Sequence, residues 1–185
     1  MTKTATRMLR LMDRAVTLWH IPVLGREKSR VLRRLLLKHQ PRRGIEVGSL
    51  FGYSAILVAD CLPRGGRLTC VEQNPFLASI VESNVEAAGL ARRVKVVTGD
   101  ALRVLPLLRG PVDFLLLDAK KEDYLDYLRA VEPRLVGGAL VVADNTGVFR
   151  RDVKPYLDHV RTDARYRSRE HDFGFDCMEI SVFRG

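Results

Sequence analysis

Apolar residues fall along this chain in two rhythms. Short apolar runs of strand length recur near residues 44–47, 67–72, 94–98, 112–118 and 139–144, and stretches of helical spacing lie between them. Strands that alternate with helices predict a parallel sheet with helical crossovers. Two helices are expected before the first strand, over residues 7–20 and 26–39. In the second, Val31, Leu32, Leu35 and Leu36 interleave with charged residues as in an amphipathic helix. Asn74-Pro75 opens a later helix that Gly89 closes, Pro63 with Gly65-Gly66 marks a turn, and Pro133 with Gly137-Gly138 ends a further helix. The closing segments 166–170 and 177–183 have strand composition and a short glycine-containing link, which predicts an antiparallel pair added to the sheet edge.

The length of 185 residues, 46% of them hydrophobic, suits one domain with a full core. The longest apolar runs are far too short to span a bilayer and the start lacks the apolar stretch of a signal peptide, so no membrane partner and a cytoplasmic address are expected. Cys61, Cys70 and Cys177 are odd in number and lack metal-ligand spacing, and they read as reduced, packed thiols. The formal net charge of +9 favours acidic partners and makes RNA admissible. The basic residues concentrate at Arg26, Lys28, Arg30, Arg33, Arg34 and Lys38, with Arg42 and Arg43 beyond them, and again from Arg150 to Arg169. The first cluster reads either as the wet face of the second helix or as a surface that recruits an anionic substrate.

Candidate chemistry begins at residues 45–54, IEVGSLFGYS, where a short strand ends on an acid and two glycines four apart lead into a helix. Glycine permits a tight turn, and the helix start presents free N–H groups to a polar ligand. The loop has no P-loop lysine and its spacing is not that of a dinucleotide fingerprint, which turns the expectation to S-adenosylmethionine. Glycines serving geometry alone are the alternative. In an open parallel sheet ligands gather at the carboxyl ends of the strands, and Glu46, Glu72, Asp100, Asp118 and Asp144 end successive predicted strands, so five acids would surround one crevice. Glu72 stands where an acid takes both ribose hydroxyls, and Gly99-Asp100-Ala101 would border adenine, although Asp100 is equally a helix cap. Asp118, Asp144 and Asn145 form a hard oxygen set suited to Mg²⁺. Lys121 can lean over the same pocket and take a proton, or can be a surface lysine in the charged run 120–123. Tyr124, Leu125 and Leu128 read as core, and His20, His39, His159 and His171 show no ligand or triad spacing.

Taken in order, IEVGSLFGYS, the acid of CVEQNP, GDALRVLP, LLLDAKKEDY and VVADN resemble the metal-dependent, S-adenosylmethionine-dependent O-methyltransferases of the catechol and caffeoyl-CoA group. The similarity runs from about residue 25 to 184 and includes HQP at 39–41 and the ending DCMEISVFRG. The resemblance implies a Rossmann-like class I methyltransferase fold: an α/β seven-stranded, mostly parallel sheet with an antiparallel last strand and helices on both faces. It implies that Glu46, Gly48, Tyr53 and Ser54 line the methionine part of the cofactor with Leu24 at its lip, that Glu72 holds the ribose, and that Asp100 and Ala101 border the adenine. Asp118, at the edge of the cofactor pocket, would share the metal with Asp144 and Asn145, and Lys121 matches the catalytic lysine. Lys120 and Phe149 stand where the catechol enzyme carries a tryptophan and a proline, and a further acceptor-binding acid finds no counterpart in the segment 165–176. The acceptor class is therefore a small phenolic molecule with adjacent hydroxyls, catechol-like or other. The rival readings are methylation of a hydroxylated tRNA base and a cofactor-binding protein with a degenerate pocket. The short N-terminal region implies a pocket lid that is reduced or completed by a second copy of the chain in a homodimer.

Overall fold

The computed structural model describes residues 2–19 and 24–185, except for the side chains at 15–17 and 19. Seven strands form one sheet: β1 (Arg43–Val47), β2 (Arg67–Glu72), β3 (Val94–Thr98), β4 (Val112–Leu117), β5 (Leu135–Ala143), β6 (Tyr166–Asp172) and β7 (Cys177–Phe183). Their spatial order is β3-β2-β1-β4-β5-β7-β6, with β7 antiparallel to both of its neighbours. The helices are α1 (Lys3–Trp19), α2 (Gly25–His39), α3 (Tyr53–Cys61), α4 (Pro75–Ala87), the short α5 (Ala101–Val104), α6 (Tyr124–Val131) and α7 (Lys154–Thr162). The first expected helix begins earlier than residue 7, and its expected end at His20 lies outside the described residues.

The central strands are buried on both sides, which is why they read as unbroken apolar runs. Side chains alternate between faces along a strand. Phe114 and Leu116 pack with Leu32, Leu36, Ile56 and Val81 beneath α1 to α4. Leu115 and Leu117 pack with Leu128, Tyr156 and Val160 beneath α5 to α7. Asn74 caps α4 by accepting from the N–H groups of Phe76 and Leu77, with Pro75 at the first helical position.

One expectation is corrected. Gly137-Gly138 does not mark the boundary between a helix and a strand at 139, because β5 already starts at Leu135 and runs through both glycines. The pairing with β4 slips there, from Val112–Leu135 to Phe114–Leu140, and glycines tolerate such an irregularity.

The strand order reverses between β1 and β4, so the loops leaving these two neighbours diverge and open a crevice at their carboxyl ends. Gly48 belongs to this point for a packing reason. It has φ +84°, and a Cβ there would lie 2.3 Å from the carbonyl oxygen of Asp118. A side chain at this position would push the two strand ends apart.

Candidate active site

Two adjoining cavities occupy the crevice. The larger, about 380 Å³, is lined by Leu24, Tyr53, Ser54, Lys121, Asn145 and Phe149 among others, and the smaller, about 210 Å³, by Glu72, Gly99, Ala101 and Tyr127 among others. Gly48, Leu50, Asp118 and Ala119 border both, so the switch point divides one continuous cleft.

The loop after β1 is tied to the end of β2. Ser49 and Leu50 donate their backbone N–H groups to Glu72 Oε2, each at 3.1 Å, and Asn74 donates to Oε1 at 3.0 Å. Leu50 sits at φ 48°, a left-handed conformation that these bonds help to hold. Glu72 thus faces the smaller cavity with three of its roughly four acceptor sites engaged. Asp100 does not line either cavity. It caps α5 through the N–H of Leu102, and Gly99 and Ala101 beside it form the wall.

Glu46 lies under the floor rather than on it. It is fully buried, and its Oε2 accepts from the Ser49 hydroxyl at 2.9 Å and the Cys70 thiol at 3.0 Å. Burial raises its pKa to about 7 against the pull of hydrogen bonds from Ser54, Cys70 and Ser49. Tyr53 fastens the N-terminal helices over the cleft, since its hydroxyl donates to Asp13 of α1 at 3.1 Å and lies 3.5 Å from the Ser29 hydroxyl of α2.

At the other end of the cleft, Lys121 Nζ donates to Asp118 Oδ1 at 2.9 Å and to the Tyr124 hydroxyl at 2.8 Å. It lies 5.1 Å from the centre of the Tyr124 ring and 5.7 Å from that of Phe149. Tyr124 in turn donates to the backbone oxygen of Asp144 at 3.1 Å. Burial, then the charges of Asp118 and Asp144, keep its phenol protonated. Tyr124 is therefore core, as its spacing implies, and also the strut that links Lys121 to the end of β5. Lys120 stands outside this network, 64% exposed at the smaller cavity and paired with Asp123 at 3.0 Å.

Asp144 is buried, and burial followed by the charge of Asp118 raises its pKa to about 6. Lys28 opposes that rise. Its Nζ lies 2.6 Å from both Asp144 Oδ1 and Asp176 Oδ2, and only 3% of this lysine is exposed. The contact to Asp144 is a buried ion pair. Asp176 also accepts from Asn145 Nδ2 at 2.8 Å and from the N–H groups of Gly147 and Val148. Burial works against its charge, but these bonds and Lys28 hold it down to about 2. Asn145, at φ 59°, is held in a left-handed turn by this network.

The sequence reading did not assign Lys28 or Asp176 to the site. Lys28 was grouped with the wet face of the second helix, and the structure corrects this. It shares the buried face with Leu32, Leu35 and Leu36 at offsets of four, seven and eight residues, and a charge on an apolar stripe is the signal that could have revealed it. Among the described residues, Glu132, His159 and Asp163 also bring ligand atoms within 4.8 Å of one another. They lie away from the cleft and already pair with Tyr166 and Arg165.

An open sheet that turns back at one crevice, with acids along its carboxyl edge and helices on both faces, is a Rossmann-like architecture. Solved methyltransferases share it. The O-methyltransferase from Bacillus cereus in complex with SAH superposes with a TM-score of 0.84 at 24% identity, over 100% of this chain and 92% of that one. A cofactor-bound protein from MTB gives 0.85 at 25% identity, over 99% and 91%. A family model described as O-methyltransferase matches residues 5–166, and this chain belongs to that family. The catechol O-methyltransferase of Bos taurus is 31% identical over 175 residues, covering 88% of this chain and 64% of its own length. That of Niastella koreensis is 38% identical over 110 residues, 57% of this chain and 50% of its own. The transmembrane O-methyltransferase of Homo sapiens is 33% identical over 159 residues, 82% of this chain and 54% of its own. The chain thus spans between half and two thirds of the length of these curated relatives. Among its described residues no helix is long and apolar enough to cross a membrane.

Proposed function

We propose that this chain methylates an oxygen of a small acceptor with adjacent hydroxyls, taking the methyl group from S-adenosylmethionine and using a divalent ion such as Mg²⁺. The observation that carries the reading is the convergence at one cleft mouth of Asp118, Lys121, Asp144 and Asn145 from neighbouring strand ends. The adenosine half of the donor suits the cavity beside Glu72 and Ala101, and the methionine half suits the wall of Leu24, Tyr53 and Ser54.

The donor set fits a hard cation. It is all oxygen, and Asn145 spends its amide nitrogen on Asp176 and keeps its oxygen for another partner. Two facing carboxylates that raise the proton affinity of one of them are relieved by positive charge. Asp118, Asp144 and Asn145 would hold the ion, which when bound makes an acceptor hydroxyl easier to ionise. Lys121, acting as the free amine after losing a proton to solvent, takes the hydroxyl proton at Nζ, with Tyr124 fixing where that nitrogen stands. Lys28 and Asp176 brace Asp144 and Asn145 from behind. Phe149 and Leu24 wall the acceptor side against water, and alignment of the acceptor oxygen supplies much of the acceleration.

Lys121 is the cation on that wall of the cleft, where Leu24, Phe51 and Phe149 are apolar. This favours a compact aromatic acceptor over RNA. The test is methyl transfer from labelled cofactor, with catechols and total tRNA offered in parallel. Label in the small phenols supports the reading, and label in tRNA alone contradicts it.

A further inference from the structure

A cluster of positive charge lies at the opposite edge of the sheet from the cleft. Arg43 and Arg67 are the first residues of β1 and β2, Lys95 is near the start of β3, and Arg109 and Arg134 precede β4 and β5. Parallel strands bring all these starts to one edge. There, together with Arg42, they line a pocket of about 440 Å³ that includes no carboxylate.

Several arginines elsewhere are paired: Arg129 with Asp126, Arg150 with Glu170, Arg161 with Glu179, and Arg165 with Asp163. Among the described residues, Arg42, Arg43, Lys95 and Arg109 have no ion-pair partner. Asp113 is close in the fold, but its two oxygens accept the backbone N–H groups of Arg42 and Arg43 at 2.8 and 2.7 Å. Arg134 donates Nη2 to the carbonyl oxygens of Leu105 and Ala130, while its Nη1 is buried without a partner. Burial, then repulsion from Arg109, lowers the proton affinity of Arg134. Uncompensated like charges around one concavity are costly, and a multivalent anion removes that cost.

We infer that this basal pocket binds a compact chain of linked phosphates. Arginine matches phosphate oxygens with paired, charge-assisted hydrogen bonds. The lining contains no Phe, Tyr or Trp on which a base could stack, which argues against single-stranded nucleic acid. The converging side chains enclose one hollow rather than follow a track. Free polyphosphate and the phosphate tail of a nucleotide present the same chemistry.

The experiment is calorimetric titration of the full chain with tripolyphosphate at low and moderate salt. Arg43→Gln/Lys95→Gln is compared with the charge-matched control Arg129→Gln/Arg167→Gln. Both variants should keep the parent's thermal unfolding and its affinity for S-adenosylmethionine. Binding by the parent that weakens with salt, weakens about tenfold or more in the first variant and stays near parental in the control is the expected result. ATP run alongside separates the sources, since affinity equal to that of tripolyphosphate assigns free polyphosphate and tighter ATP binding assigns a nucleotide tail. No binding by the parent at low salt, or equal weakening in the two variants, overturns the inference. So does a single-stranded RNA that displaces tripolyphosphate and binds more tightly for the same number of phosphates.

Discussion

Lys121 is held from two directions, by the Asp118 carboxylate and by a phenol that donates onward to the backbone of Asp144. That geometry gives one lysine of an adjacent pair a fixed place over the cleft and leaves Lys120 in solvent with Asp123. Lys121→Ala should lower turnover by about a hundred- to ten-thousand-fold, the usual range for a positioned base, while Lys120→Ala has a small effect. Turnover of both variants at saturating donor and metal checks this, and equal mild defects would remove Lys121 from the reaction. A second expectation concerns Glu46. The folded chain holds its proton up to about pH 7, whereas a free glutamate loses it near 4.5, so the native state binds the extra proton between these values. The stability this lends is full below pH 4.5 and is lost as pH rises through 7. Glu46→Gln should therefore be more stable than the parent above pH 7, by on the order of 3 kcal/mol at most, and should flatten that slope. Urea unfolding at pH 5 and pH 8 reads the difference, and parallel slopes for parent and variant would place the charge elsewhere.

Among the elements, α2 does more than cover the sheet, because it delivers Lys28 to Asp144 on the cleft wall and Asp176 beside it. Lys28→Met leaves Asp144 and Asp176 buried without their cation and should cost about 3 kcal/mol or more, as broken buried pairs do. Arg26→Met, two residues away, loses a 3.8 Å pair in which the arginine is 76% exposed, and should cost less than about 1 kcal/mol. Denaturant unfolding of the two variants separates these roles, and similar small losses would show that Lys28 braces nothing. The bounds of β2, β3 and β7 were legible in the chain because their apolar runs end sharply at turn residues. The start of β5 was hidden, since its two glycines read as a break and only the slipped pairing with β4 shows why a strand tolerates them. That Asp118, Lys121, Asp144 and Asn145 line one cavity was legible because strand ends and short spacings announce them. Asp176 was not, because its importance comes from contacts 148 residues away in sequence, to Lys28, and 31 residues away, to Asn145. Glu46 was placed on the pocket wall by its motif, and only the packing of Ser49 and Cys70 against it puts it below the floor.

The whole molecule joins two cavities across one switch point, so donor binding and acceptor activation should be separable by mutation. Glu72→Ala removes the anchor of the loop at 48–52 as well as an expected ribose contact. It should weaken S-adenosylmethionine binding by tens to hundreds of fold in calorimetric titration, and unchanged affinity would reject that placement. Asp144→Ala should leave donor affinity largely intact, since its carboxylate is proposed to serve the acceptor. The most direct test of the account is methyl transfer to a phenolic acceptor by metal-free protein in EDTA, followed by titration of Mg²⁺ into the parent and Asp144→Ala. No turnover is expected in EDTA, with recovery in the parent as Mg²⁺ is added and no recovery in the variant despite normal donor binding. Full turnover in EDTA, or equal recovery in both proteins, would contradict it.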